Sequence, residues 1–182
     1  ARRTGPGLSP RALLLAARFR RPLPIIAEDL GVITPDVDAL RHEFAFPGMR
    51  ILQFAWGEDD TAERRFLPHR YEPDTVVYTG SHDNDTTLGW WSSAPESTRH
   101  HLREYLATDG RAVHWDLIRA ACASVADTAV YPLQDVMGLD GAHRMNFPGQ
   151  SSGWWVWRFA WEQVPADAAA RLRRLCELYD RL

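Results

Sequence analysis

Four short apolar runs, each leading into a helical stretch or a helix-bearing loop, limit what this chain can fold into. The runs are 23–27, 49–55, 76–80 and 128–132. Helices are predicted over 35–44, 97–107, 113–125 and 167–182. The first has Thr34 as N-cap, Pro35 at its first position and Asp36 in its first turn. The last carries Leu172, Leu175, Cys176 and Tyr179 on one face. Alternation of this kind argues parallel βα units. A small open sheet and half of an eight-stranded barrel both satisfy it, so the period alone does not choose between them.

Composition narrows the class. At 182 residues the chain is long enough for one cored domain. Its net charge is −3, and all 21 basic residues are Arg. That balance gives no reason to expect nucleic acid or an anionic membrane as a partner. No apolar run approaches the ~20 residues of a membrane-spanning helix. The apolar stretch 12–17 between arginines is too short for a secretory leader. Cys122 and Cys176 lie in apolar helical patterns and read first as buried, reduced thiols of a cytoplasmic protein, with a disulfide between them as the alternative that no feature of the sequence supports. The Arg-rich start, 1–22, lacks a clear period, and the chain begins with Ala1; both suggest a fragment. Eight Trp are present, read first as packing and second as a sugar-stacking surface.

The polar residues carry the functional signal. Glu28 and Asp29 follow the first run, Asp83 and Asp85 the third, and Gln134 and Asp135 the fourth. A (β/α)8 barrel builds its active site at the C-terminal ends of its strands, and acids crowded there repel one another. Helix capping also places Asp after strands and is the competing reading. Ser81-His82-Asp83 holds the letters of a catalytic triad, but consecutive residues on an extended segment point to opposite faces. The sequence has no CxxC, no HExxH and no Gly-rich phosphate loop, so neither a metal nor another cofactor is expected.

Four blocks in order then carry a resemblance. They are Ile26-Ala27-Glu28-Asp29-Leu30-Gly31 with Pro47-Gly48-Met49 and Gln53-Phe54; Tyr78-Thr79-Gly80-Ser81-His82-Asp83-Asn84-Asp85-Thr86-Thr87; Pro132-Leu133-Gln134-Asp135-Val136; and Arg144-Met145-Asn146-Phe147-Pro148-Gly149. Together they resemble the amylomaltase family, glycoside hydrolase family 77, from about Leu23 to at least Phe159, while the first 21 residues carry no such motif. Ser81 stands where the family has Thr, and Trp154 where it has Asn.

The resemblance implies an α/β fold, the C-terminal half (about four βα units) of an α-amylase-type (β/α)8 barrel over 23–182. It implies 4-α-glucanotransferase activity by retaining double displacement. Glu28 matches the general acid/base and Asp83 the carboxylate that stabilises the transition state. His82, Phe54, Asn84 and Asn146 match substrate-binding positions. Glu28 and Asp83 should then converge on one partly desolvated, acid-lined cleft bordered by His82. The nucleophile of the family lies in an Arg-Ile-Asp-His type motif, which these residues lack. The implied partners are therefore a maltooligosaccharide or α-glucan substrate and the N-terminal half of the barrel. An α-glucan hydrolase of the same superfamily and a non-catalytic glucan-binding fragment are the alternatives.

Overall fold

Three of the four apolar runs form strands, and all three pair in parallel. The structure is a computed structural model and describes residues 24–57 and 63–182. The strands are β1 (Gly48–Ile51), β2 (Thr75–Tyr78) and β3 (Thr128–Val130), in the order β1-β2-β3. Met49 pairs with Val76, and Val77 with Ala129. The helices are α1 (Pro35–Glu43), α2 (Thr87–Ser93), α3 (Glu96–Leu106), α4 (Val113–Ala123), α5 (Leu133–Met137) and α6 (Ala168–Leu178). β2 reaches β3 through α2, α3 and α4, the kind of crossover a parallel pair requires.

The run 23–27 does not form a strand over its described part, 24–27. Pro24 removes a ladder donor there. The segment still docks on β1: Ala27 N–H donates to Pro47 O at 2.9 Å. Asp29 supplies the rest with its side chain. Its carboxylate is buried, accepts Met49 N–H at 2.7 Å and Arg50 Nη1 at 2.9 Å, and lies 3.9 Å from Arg41 Nε. Gly48 makes room for it, since a Cβ there would sit 2.6 Å from Asp29 Oδ2. The second run is also shorter than predicted: β1 ends at Ile51, and Leu52–Phe54 is a 3-10 turn.

Four predicted helices are present with slightly shifted ends. Helix α1 starts as its sequence implies, with Pro35 in the first turn, Asp36 and Asp38 near its positive end and Arg41 and His42 in its last turn. Thr34 occupies the N-cap position without a side-chain cap bond. Helix α4 is the spine of the molecule. Val113, Leu117, Ala120 and Ala121 pack toward the sheet with Leu52, Trp56, Val77 and Leu102. Trp115, Ile118 and Cys122 pack away from it with Val136, Ala168 and Leu175. Arg181 closes the C-terminus of α4, donating to Cys122 O at 2.6 Å and Ser124 O at 2.8 Å, where unpaired carbonyls favour a cation. Cys122 is buried, as read, with its sulfur 2.9 Å from Tyr131 Oη; Cys176 is only half-buried. Among the described residues, no helix is long and apolar enough to cross a membrane.

Candidate active site

The residues singled out by sequence divide by burial into two kinds. Asp29 and Asp135 are buried and fully engaged by neighbouring donors. Glu28 and Asp83 are exposed. The acids after the strands are therefore of two sorts, and of the buried pair only Asp135 bonds a helix N-terminus, whereas Asp29 serves a strand. Asp135 accepts from the backbone N–H of Thr87, the first residue of α2, at 2.7 Å.

A cavity of about 390 Å³ opens at the exit of β2 and β3, lined among others by Tyr78, His82, Asn84, Tyr131, Gln134 and Arg144. The loop after β2 supplies its polar wall. Asn84 Oδ1 accepts Ser81 N–H at 2.9 Å and lies 2.8 Å from Ser81 Oγ, which folds the loop into a turn. His82 and Asp83 sit on that turn, not on an extended segment as the sequence suggests. His82 Nε2 is 3.4 Å from Asp83 Oδ1. The triad reading fails for a different reason: Ser81 Oγ is engaged by Asn84 rather than by His82.

A second loop, 63 residues later in sequence, comes up against the first. Asn146 Nδ2 donates to Asp83 Oδ1 at 2.6 Å. Arg144 donates to Asp83 O at 2.9 Å and to Asn146 O at 2.8 Å. Its remaining nitrogen lies 3.8 Å from Asp85 Oδ2, and its guanidinium stacks 4.4 Å over Phe147. Arg144 thus ties both loops together. Trp155 leans on His82, ring centres 5.2 Å apart. It is exposed and holds φ +65°, a left-handed conformation costly for a bulky residue. Trp154 bonds Gln150 Oε1 at 2.8 Å and packs against Phe147.

His82, Asp83, Asn84 and Asn146 therefore come together. Phe54 does not join them: it lines a separate cavity of about 300 Å³ with Gln53, Phe66 and Trp90, edge-on to Phe66. Glu28 is not in a desolvated cleft. It is exposed, with its carboxylate accepting Leu30 N–H at 3.3 Å. Its segment meets the sheet where β1 begins, whereas Asp83 follows the exit of β2. Neither carboxylate lines the 390 Å³ cavity. Sequence reasoning missed Arg144 and Trp155. Arg144 stands in the same sequence motif as Asn146, two residues before it, and that adjacency was the available signal. Nothing singled Trp155 out from the other tryptophans. Among the described residues, no three His, Cys, Asp or Glu side chains gather as a metal would require.

A family model described as 4-alpha-glucanotransferase matches residues 4–163, so the match takes in most of the Arg-rich start that carried no motif. A 4-alpha-glucanotransferase of Thermus thermophilus is 48% identical over 168 residues, covering 88% of this chain and 33% of that protein. One from Synechocystis is 48% identical over 161 residues, covering 87% and 32%. The rice protein, named 4-alpha-glucanotransferase DPE1, chloroplastic/amyloplastic, is 47% identical, covering 87% and 27%. The solved amylomaltase from Streptococcus agalactiae in complex with acarbose superposes with a TM-score of 0.82 at 31% identity, covering 87% of this chain and 32% of that one. The chain spans about a third of the length of the curated relatives it matches.

Proposed function

Because the chain belongs to glycoside hydrolase family 77, the 4-alpha-glucanotransferases, we propose that it forms the acid/base side of an enzyme moving α-1,4-glucan segments between maltooligosaccharides. The observation that carries this reading is the meeting of His82, Asp83, Asn84 and Asn146, drawn from two separate motif blocks, at the exit of β2. An exposed carboxylate held by a neutral amide and flanked by imidazole and indole faces suits sugar hydroxyls and an apolar sugar face.

In this reading the three parallel strands belong to half of an α-amylase-type barrel, completed by sequence outside these residues. A carboxylate from that sequence attacks the anomeric carbon while Glu28 protonates the departing glycosidic oxygen. A covalent glycosyl-enzyme forms, and Glu28 then takes the proton of an incoming sugar hydroxyl. Asp83 offsets the positive charge of the oxocarbenium-like transition state, and His82, Asn84, Asn146 and Phe54 hold the sugars. Glu28 is exposed, so the reading has the rest of the barrel close over it; a general acid works best with such burial. The same reading places the enzyme in the cytoplasm, with neither nucleic acid nor a membrane as partner and with no cofactor.

Product analysis tests it. The 182 residues alone are expected to leave maltotriose unchanged. Grafted in place of the matching third of the T. thermophilus relative, they are expected to yield glucose plus longer maltooligosaccharides. A steady rise of reducing ends instead would mean hydrolysis, and turnover by the 182 residues alone would mean that the chemistry is misassigned.

A further inference from the structure

Asp135 sits below the loop that carries His82, Asp83 and Asn84, and it holds both ends of that loop at once. Its carboxylate is 1% exposed. One oxygen accepts Thr87 N–H at 2.7 Å; the other takes the hydroxyls of Thr79 at 2.6 Å and Thr87 at 2.8 Å. Thr79 directly follows β2, Thr87 opens α2, and both are fully buried. Of the seven residues 80–86 between them, all but Asp83 line the 390 Å³ cavity, and the loop bears most of the candidate sugar-binding groups. Asp135 itself lies on α5, beyond β3, so the clamp fastens the exit of β2 to the next unit of the fold.

We propose that Asp135 is a positioning residue: by fixing Thr79 and Thr87 it sets the span of loop 80–86 and thereby aims His82 and Asp83. The proposal rests on the functional reading above for what the loop does, but not for how the loop is held. Loss of the clamp leaves the interior bonds of the loop, Ser81 N–H to Asn84 Oδ1 and Gln53 Nε2 to Asp85 O, without fixed ends. A buried carboxylate with three donors is costly to place, and burial does push its pKa up while the donors pull it down. An amide serves the geometry equally well. In Asp135→Asn the Oδ1 still accepts Thr87 N–H, and the amide nitrogen donates to the two hydroxyls, which can accept as well as donate.

Amide hydrogen exchange on the 182-residue chain reads the loop directly and needs no sugar, so a failed clamp and a failed glucan reading are told apart. The probes are the amides of Ser81 and Asn84, referenced to Val77 in the β2 ladder. Asp135→Ala is expected to speed exchange at both by roughly tenfold or more, the loss expected of one charge-assisted hydrogen bond, with Val77 unchanged. Asp135→Asn is expected to return them to within about twofold of the parent. Should Asp135→Ala not fold, Thr79→Val releases one end of the clamp alone and is expected to loosen Ser81 against Val77. Unchanged exchange at Ser81 and Asn84 in the folded variants overturns the proposal. So does an Asp135→Asn protein as loose as Asp135→Ala or Thr79→Val, because charge rather than bonding geometry would then hold the loop.

Discussion

Replacing Asp29 by Ala removes a buried side chain that fastens the Glu28 segment to β1. The carboxylate accepts two hydrogen bonds, from Met49 N–H at 2.7 Å and Arg50 Nη1 at 2.9 Å, and lies in ion-pair range of Arg41 Nε at 3.9 Å. All three side chains are largely shielded from water, at 6%, 13% and 7% exposure for Asp29, Arg50 and Arg41. Breaking a buried ion pair from one side costs about 3–5 kcal/mol, since the partner is left uncompensated. Here each guanidinium keeps another acceptor, Arg41 at Phe46 O and Arg50 at Met49 O. The lower end of that range, about 3 kcal/mol, is therefore expected. Asp29→Asn retains an acceptor for Met49 N–H and should cost roughly half as much. Gly48→Ala provides an independent handle, because its Cβ would collide with Asp29 Oδ2 at 2.6 Å. That clash disappears once Asp29 is Ala, so the two substitutions should be markedly non-additive. The assay is urea unfolding in dilute solution, read from the shift in midpoint at constant slope. An Asp29→Ala protein within about 0.5 kcal/mol of the parent, the range of an inert surface change, would refute the reasoning.

Further outcomes follow from the same structure. Leu117 is fully buried between α4 and the sheet, so Leu117→Ala should lower stability by about 2–5 kcal/mol in the same assay. Burial, with Arg171 nearby, lowers the pKa of His114, while Asp116 opposes the shift. A base with a depressed folded pKa contributes stability that is complete above its unfolded value of about 6.5 and is lost as pH falls through the folded one. Stability should therefore decline from pH 7 toward 5, and His114→Phe should flatten that slope; an unchanged slope counts against the assignment. Strand β3 is an edge of the described sheet and leaves Thr128 and Val130 exposed. The 182 residues alone should self-associate in sedimentation, and Val130→Lys should reduce it; a monomer at high concentration would speak against a half barrel.

Much of this arrangement was legible in the sequence where period and chemistry agreed. Helix α1 follows from Thr34-Pro35-Asp36, and α4 from apolar residues on two faces. Runs 76–80 and 128–132 gave β2 and β3. The run 23–27 misled because apolar content alone did not weigh that Pro24 withholds a ladder donor and that the Asp29 side chain supplies contacts to β1 instead. Helices α2 and α5 were missed because they are short, and Thr86-Thr87-Leu88-Gly89 is poor in helix formers. Acid placement located Asp83 and Asp135 just beyond β2 and β3, yet could not separate exposed Asp83 from buried Asp135, because burial is decided by elements distant in sequence. Phe54 and Asn146 lie 92 positions apart in the chain, and only the fold separates them, Phe54 in the 300 Å³ cavity and Asn146 against Asp83.

The role of Glu28 bears most directly on the account. In the grafted enzyme, Glu28→Gln is expected to slow maltotriose disproportionation by about 10²–10⁴-fold, the usual contribution of a general acid/base. Fluoride departs without being protonated, so the same variant should still form the glycosyl-enzyme from an α-maltosyl fluoride. Added azide, which needs no base, should then capture that intermediate as the α-glycosyl azide. Loss of turnover on maltotriose with azide product from the fluoride is the predicted result; a Glu28→Gln enzyme that disproportionates maltotriose at the parent rate would contradict the account.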